Sequence, residues 1–304
     1  MNAPFLQVDV FTSTPFEGNQ LAVFHDAAGI PDAMMPVLAR EMNFPESTFV
    51  VPGARAGTDQ RMRIFTPQEE LPMAGHPTIG TTFALAALGR IRAPQERIVF
   101  DLKVGPTPVT LTWGADGGLE FAWMEQPLPE FGEPLADDLR PALAQALGID
   151  AGDLMPTPAQ TVSSAVPFFF VSLKDEAAVD RAWGDRAALA ALFARAGADR
   201  SHPVFVFAMS SRPGVSCYSR MFAPEFGIPE DPATGGASGP LGCYLLRHGL
   251  VDRDAARTLL SLQGAKMQRP SRVHISIDSR ADGTIEKVRV GGQAVIVGEG
   301  TIRS

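Results

Sequence analysis

Two short segments of this chain carry the residue types that can do chemistry at spacings that suit it. The first is Ala74-Gly75-His76-Pro77-Thr78-Ile79-Gly80, followed by an apolar helical stretch over 82–88 and Gly89. The second is Asp231-Pro-Ala-Thr234-Gly235-Gly236-Ala-Ser238-Gly239, followed by an apolar helical stretch over 241–247 and Gly249. A helix N-terminus presents N–H groups ahead of its own hydrogen-bond ladder together with a partial positive charge. Glycine lets a ligand approach that backbone closely. Two such termini make an anion site without Lys or Arg, suited to a substrate carboxylate or to charge that develops as a proton leaves carbon. Gly75, Gly235 and Gly236 supply the backbone of this expected site, with Thr234 and Ser238 completing the substrate-binding set. His76 falls at a helix start, where the dipole favours a neutral imidazole. Asp231 opens the second loop, where an ordinary capping or turn role competes with a functional one. Glu46, alone in its segment, reads from the sequence as a solvated strand-edge residue.

These loops belong to a larger echo. Arg63-Ile-Phe65-Thr-Pro67 precedes the first and Arg220-Met-Phe222-Ala-Pro224 precedes the second. Strand, R-x-F-x-P, glycine-rich loop, helix and terminal glycine thus occur twice in the same order. The glycines fit helix stop positions. A duplicated half predicts two similar domains, related by a pseudo-twofold axis, with both loops bordering one cleft. The expected division is 1–124, with the tail from about 290–304 joining it, and 125–304.

The supporting elements follow from periodicity and turn chemistry. Phe5–Phe11 and Gln20–Phe24 alternate as strands around the Gly18-Asn19 turn. Positions 32–43 have helical spacing, with Asp32 as the expected N-cap, and Pro45 stops that run before a strand over 46–51. Further strands are expected near 62–65, 98–102, 108–113, 119–124, 168–173, 204–208, 216–222, 272–277 and 287–297. Helices are expected near 139–147 and 186–196, and the proline-rich stretch 126–134 reads as a linker.

Bulk properties narrow the function. The 304 residues are 45% hydrophobic and 20% charged, a globular profile with room for two domains. A net charge of −8 argues against nucleic acid and against an anionic membrane surface. The opening residues lack a basic n-region, and no apolar run approaches a bilayer span. Cys217 and Cys243 form no C-x-x-C pair, so a reduced cytoplasmic protein with two buried thiols is expected. There is no P-loop and no dinucleotide fingerprint. Gly236-Ala-Ser238-Gly239 has Pro240 where a nucleophile elbow needs glycine. The histidines at 25, 76, 202, 248 and 274 have no metal-ligand spacing.

Taken together the chain resembles the phenazine-biosynthesis PhzF-like isomerase family nearly end to end. The likeness is carried by Val8-Asp-Val-Phe11 with Gly18-Asn19, Arg40-Glu-Met-Asn43 leading to Glu46-Ser-Thr48, and Arg63 to Pro67. Glu70-Leu-Pro72, Ala74-Gly-His-Pro77, Glu230-Asp231, Ala233-Thr-Gly235, Gln263-Gly264 and Gly300-Thr-Ile302 extend it. The resemblance implies a diaminopimelate-epimerase-like α/β (α+β) fold, in which each of two mixed-sheet domains wraps a barrel-like sheet around a central helix. It implies a cofactor-free, metal-free acid/base proton shift on a small carboxylate-bearing substrate, with Glu46 as base and His76 and Asp231 as its catalytic partners. A homodimer is implied as well. Two positions depart from the family pattern: Gly236 and Pro45 stand where the family commonly has Ser. The related amino-acid epimerases carry one cysteine in each loop, and the matching positions here are Ala74 and Thr234, which argues against a two-thiol racemase. A non-catalytic binding or regulatory protein is the alternative; a pure binder has no need to keep Glu46, His76 and Asp231 together.

Overall fold

The computed structural model describes residues 2–53 and 55–303. By contacts the chain forms two compact units, Met1–Gln126 with Ser271–Val273 and Arg289–Ser304, and Pro127–Pro270 with His274–Val288.

The first unit begins with β1 (Asn2–Val10), β2 (Asn19–Phe24), α1 (Met35–Met42), β3 (Glu46–Val51) and β4 (Gln60–Phe65). It continues through β5 (Glu70–Leu71), α2 (Gly75–Ala87), β6 (Arg97–Leu102), β7 (Gly105–Trp113) and β8 (Leu119–Gln126). The second holds β9 (Glu130–Pro134), α3 (Arg140–Ala146), β10 (Gln160–Ser163), β11 (Pro167–Ser172), α4 (Glu176–Arg181), α5 (Arg186–Arg195) and β12 (Val204–Met209). After these come β13 (Cys217–Ala223), β14 (Ile228–Asp231), α6 (Gly235–Arg247) and β15 (Leu259–Gln263). The chain closes with β16 (Ser271–Ser279), β17 (Ile285–Gly292) and β18 (Ala294–Arg303), the last of these in the first unit.

Each unit repeats one topology. In the first, β18, β1 and β2 pair antiparallel in series, β2 runs parallel to β3, β3 antiparallel to β4, and β4 parallel to β6. In the second, β9, β10 and β11 pair antiparallel, β11 runs parallel to β12, β12 antiparallel to β13, and β13 parallel to β15. The short strands β5 and β14 add antiparallel to β4 and β13. The sequence echo is therefore a whole repeated sheet, and the two motifs run without insertion or deletion from Glu70–Gly89 to Glu230–Gly249.

A helix that is apolar on all sides must be buried on all sides, and both repeat helices are. In α2 every residue from Gly75 to Leu85 is buried, and the helix packs on β1, β2, β3, β8 and β18. In α6 burial runs through nearly the whole helix, which packs on β10 and β11. Both end alike: Gly89 and Gly249 take φ +65°, and the next N–H reaches back to Leu85 O and Leu245 O at 2.9 Å. No helix among the described residues is long and apolar enough to cross a membrane.

Several local expectations change. Asp32 does not cap α1. It opens a 3-10 turn behind Pro31, and its carboxylate instead lies 3.2 Å from Arg63. The stretch 126–134 is not all linker, since β9 pairs with β10 inside it. The repeat helices begin seven and six residues earlier than the apolar stretches suggest, at Gly75 and Gly235. Burial of their first turns outweighs the poor helix propensity of Gly and Pro there. The strand-like tail divides into β17 and β18.

Candidate active site

Glu46 is the first residue of β3, directly after Pro45, and lies beside Leu21 of the parallel strand β2. His76 is the second residue of α2, so its ring sits at the positive end of the helix. Its Nδ1 lies 2.8 Å from Glu46 Oε2, with side chains 3% and 15% exposed. Asn19, the first residue of β2 and fully buried, places its amide Nδ2 3.3 Å from the same ring nitrogen. A contact of 2.8 Å between two potential acceptors needs a proton between them. That proton resides on Nδ1 when the carboxylate is ionised, and on Glu46 when Nδ1 is bare. The pair can therefore hold one proton in either of two places.

In the second unit Asp231 ends β14 and Thr234 stands at the N-cap position of α6. The Thr234 hydroxyl donates to Asp231 Oδ2 at 2.5 Å. Gln263, the last residue of β15, joins both: its amide donates to Asp231 O (2.7 Å) and to Thr234 Oγ1 (3.0 Å), and its carbonyl oxygen accepts from Thr234 N (3.0 Å). This leaves Asp231 buried, with its carboxylate oriented by a hydroxyl that is itself fixed. Gly235 and Gly236 form the first turn of α6, as Gly75 does in α2. Ser238 is also buried there, but its hydroxyl turns back to donate to Thr234 O at 2.9 Å, as Thr78 does to Ala74 O at 2.8 Å.

Within the first unit the fold thus brings Glu46 and His76 together, and within the second Asp231, Thr234 and Gln263. Asn19 and Gln263 were not singled out as site residues, although Gly18-Asn19 and Gln263-Gly264 lie in the family-like segments. A lone amide in a strand carries no chemical signature until its partners are known. Both thiols lie outside the loops. Burial pushes Cys217 up to about 11 and Cys243 up to about 12, so neither is an available thiolate near neutral pH.

A barrel-like sheet around a central helix, present twice, is the diaminopimelate-epimerase-like architecture. A probable proline racemase from Agrobacterium radiobacter shares it, with TM-score 0.68 and 13% identity over 99% of this chain and 92% of that one, a likeness of fold alone. The Bacillus anthracis phenazine biosynthesis protein of the PhzF family is nearer, with TM-score 0.88 and 26% identity over 100% of both chains. The trans-2,3-dihydro-3-hydroxyanthranilate isomerase of Pseudomonas fluorescens is 36% identical over 298 residues, 98% of each chain. The phenazine biosynthesis-like (PhzC-PhzF) family matches residues 8–300, and the chain belongs to that family. It is an isomerase.

Proposed function

We propose that the chain shifts a proton between carbons of a small ring carboxylate, with Glu46 as the base. The observation that carries this is the 2.8 Å contact between Glu46 and His76 at the start of α2, in which Nδ1–H donates to the carboxylate and orients it, leaving Glu46 able to take a proton on its other oxygen. A base must take a proton and then return it, and a neighbouring imidazole that donates to the carboxylate fixes its geometry for both steps. The backbone at Gly75, Gly235 and Gly236 holds the carboxylate or the developing charge. Asp231, oriented by Thr234, orients polar groups of the substrate and takes part in the relay. The substrate class is supported by the Pseudomonas relative, whose name specifies a dihydro-hydroxyanthranilate. The chemistry as written needs no cofactor. A homodimer is part of the same proposal, to be read by analytical ultracentrifugation.

The test is deuterium wash-in from D2O into trans-2,3-dihydro-3-hydroxyanthranilate. The wild-type chain should exchange it, and Glu46→Gln, which keeps shape and removes the acceptor, should slow exchange by roughly 10²–10⁴-fold. Asp231→Asn and His76→Ala should also slow it while raising KM. A folded Glu46→Gln variant exchanging at the wild-type rate refutes the assignment.

A further inference from the structure

Phe16 combines two costs that a surface loop ordinarily avoids. Its ring is 73% exposed, and its backbone takes φ +70°, a left-handed conformation that bulky residues rarely adopt. Phe11, at the other end of the same loop, is also left-handed (φ +64°) but fully buried, so its packing compensates the strain. Phe16 gains no such burial.

The loop nevertheless fixes Phe16 firmly. Its N–H donates to Asp9 Oδ2 at 2.7 Å, and Asp9 is a buried carboxylate. Thr14 N–H donates to the Thr12 hydroxyl at 2.9 Å. Gly18 follows at φ +70°, where any Cβ would collide with the Val10 carbonyl. The loop then closes on the Val10–Asn19 pair of β1 and β2, and Asn19 is the residue that contacts His76. A buried acid, a strained aromatic and an obligatory glycine are thus used to present one phenyl ring to solvent, three residues from the amide of the Glu46–His76 cluster.

We propose that Phe16 is a specificity-determining residue, presenting its ring to the face of an unsaturated cyclic carboxylate held at Glu46 and His76. This rests on the function proposed above. An aromatic face favours a planar or partly unsaturated ring by stacking, and it gives an open-chain acid little to stack against.

The probe is 3-hydroxyanthranilate, the aromatic counterpart of the dihydro compound, titrated by calorimetry. Phe16→Gly should weaken its binding about ten-fold, and Phe16→Tyr, which keeps the ring, should stay within about two-fold of wild type. Glycine adopts the left-handed backbone freely, so the melting temperature of Phe16→Gly should not fall. Phe16→Gly binding within about two-fold of wild type overturns the proposal. So does retained affinity together with a smaller sedimenting species, which would assign the ring to an interface between copies. In either case wild-type deuterium exchange lost in Glu46→Gln keeps the proposed function standing. Failure of the wild-type chain to bind the probe removes both the ring class and the carboxylate reading.

Discussion

Arg63 and Arg220 hold the same place in the two units, yet they are embedded differently. Each makes a two-pronged ion pair with a glutamate from the next short strand. Arg63 contacts Glu70 at 2.7 and 3.0 Å, and Arg220 contacts Glu230 at 2.8 and 2.8 Å. Each guanidinium also lies over the phenylalanine two residues on, 5.0 Å from Phe65 and 4.8 Å from Phe222. In the first unit the pair is partly solvated, with Arg63 19% and Glu70 26% exposed, and the remaining nitrogen meets Asp32 and Met35. In the second the corresponding figures are 5% and 12%, and Arg220 Nη1 also donates to Val179 O, Asp180 O and Ala182 O at the end of α4. One motif serves as a half-open clip in one unit and as a buried hub in the other.

The candidate site residues divide between the repeats in the same manner. Strand register aligns Phe49 opposite Arg63 with Val206 opposite Arg220, which puts Pro203 in the place of Glu46. Gly236 stands where the first unit has His76, and the β2–β3 and β11–β12 registers put Val166 where it has Asn19. In the other direction Leu71, Ala74 and Leu102 occupy the places of Asp231, Thr234 and Gln263. Each polar trio is matched by small or apolar residues in the other repeat. A buried polar cluster is stable only when its members satisfy one another, and in each repeat the three change together.

The largest expected asymmetry is in stability. Arg220→Ala leaves the largely buried Glu230 carboxylate without its guanidinium and takes one donor from each of three carbonyls, of which Val179 O keeps Ala182 N and Asp180 O keeps Lys266 Nζ. It should cost roughly 3–5 kcal/mol, whereas Arg63→Ala should cost about 1 kcal/mol, both read from urea unfolding. Equal losses would break the distinction between hub and clip. A smaller effect is expected from Gln263→Leu, which installs the first repeat's residue in the second. It leaves the Thr234 N–H and the Asp231 carbonyl without that amide, at about 1–3 kcal/mol, and should slow turnover by loosening Asp231. A variant with unchanged turnover would separate Gln263 from the site. The smallest effect concerns the thiols. Both folded thiols ionise well above an unfolded cysteine near pH 8.5, so the unfolded chain loses its protons first. Stability should therefore fall as pH rises from about 8.5 toward 11. Cys217→Ser with Cys243→Ser should flatten that decline in pH-dependent melting curves while leaving turnover nearly intact.

The echo was legible because its marks are residues with few uses, namely glycines at helix stops and a repeated R-x-F-x-P. The Arg–Glu pairs inside it were not, since a glutamate in a loop reads as a surface residue until the strand register places it beside an arginine. Glu46 shows the same limit: its own segment suggests a solvated edge, and only the family resemblance singled it out. The helix starts were legible from the loops, where His76 falls at a helix start, but not from the apolar stretches, because Gly75, Pro77, Gly235 and Gly236 all weigh against helix and burial decides the matter. The strand β9 was hidden by the prolines in and around it, although it pairs with β10 through Glu130, Phe131 and Pro134.

The pairing of β1 with β18 has a consequence for how the protein is made. One edge of β1 takes its partner from residues 294–303, which leave the ribosome last among the described elements. Through most of synthesis the first unit has an open strand edge, while residues 127–288 already contain the paired β9 to β15 of the second. An open edge invites wrong partners, and a late long-range closure is slow to form. The first unit, which holds Glu46, should therefore mature after the second despite being translated first. A chain halted after Val288 should show protease resistance over 127–288 and cleavage in the residues before it; resistance throughout would mean that β1 does not wait for β18.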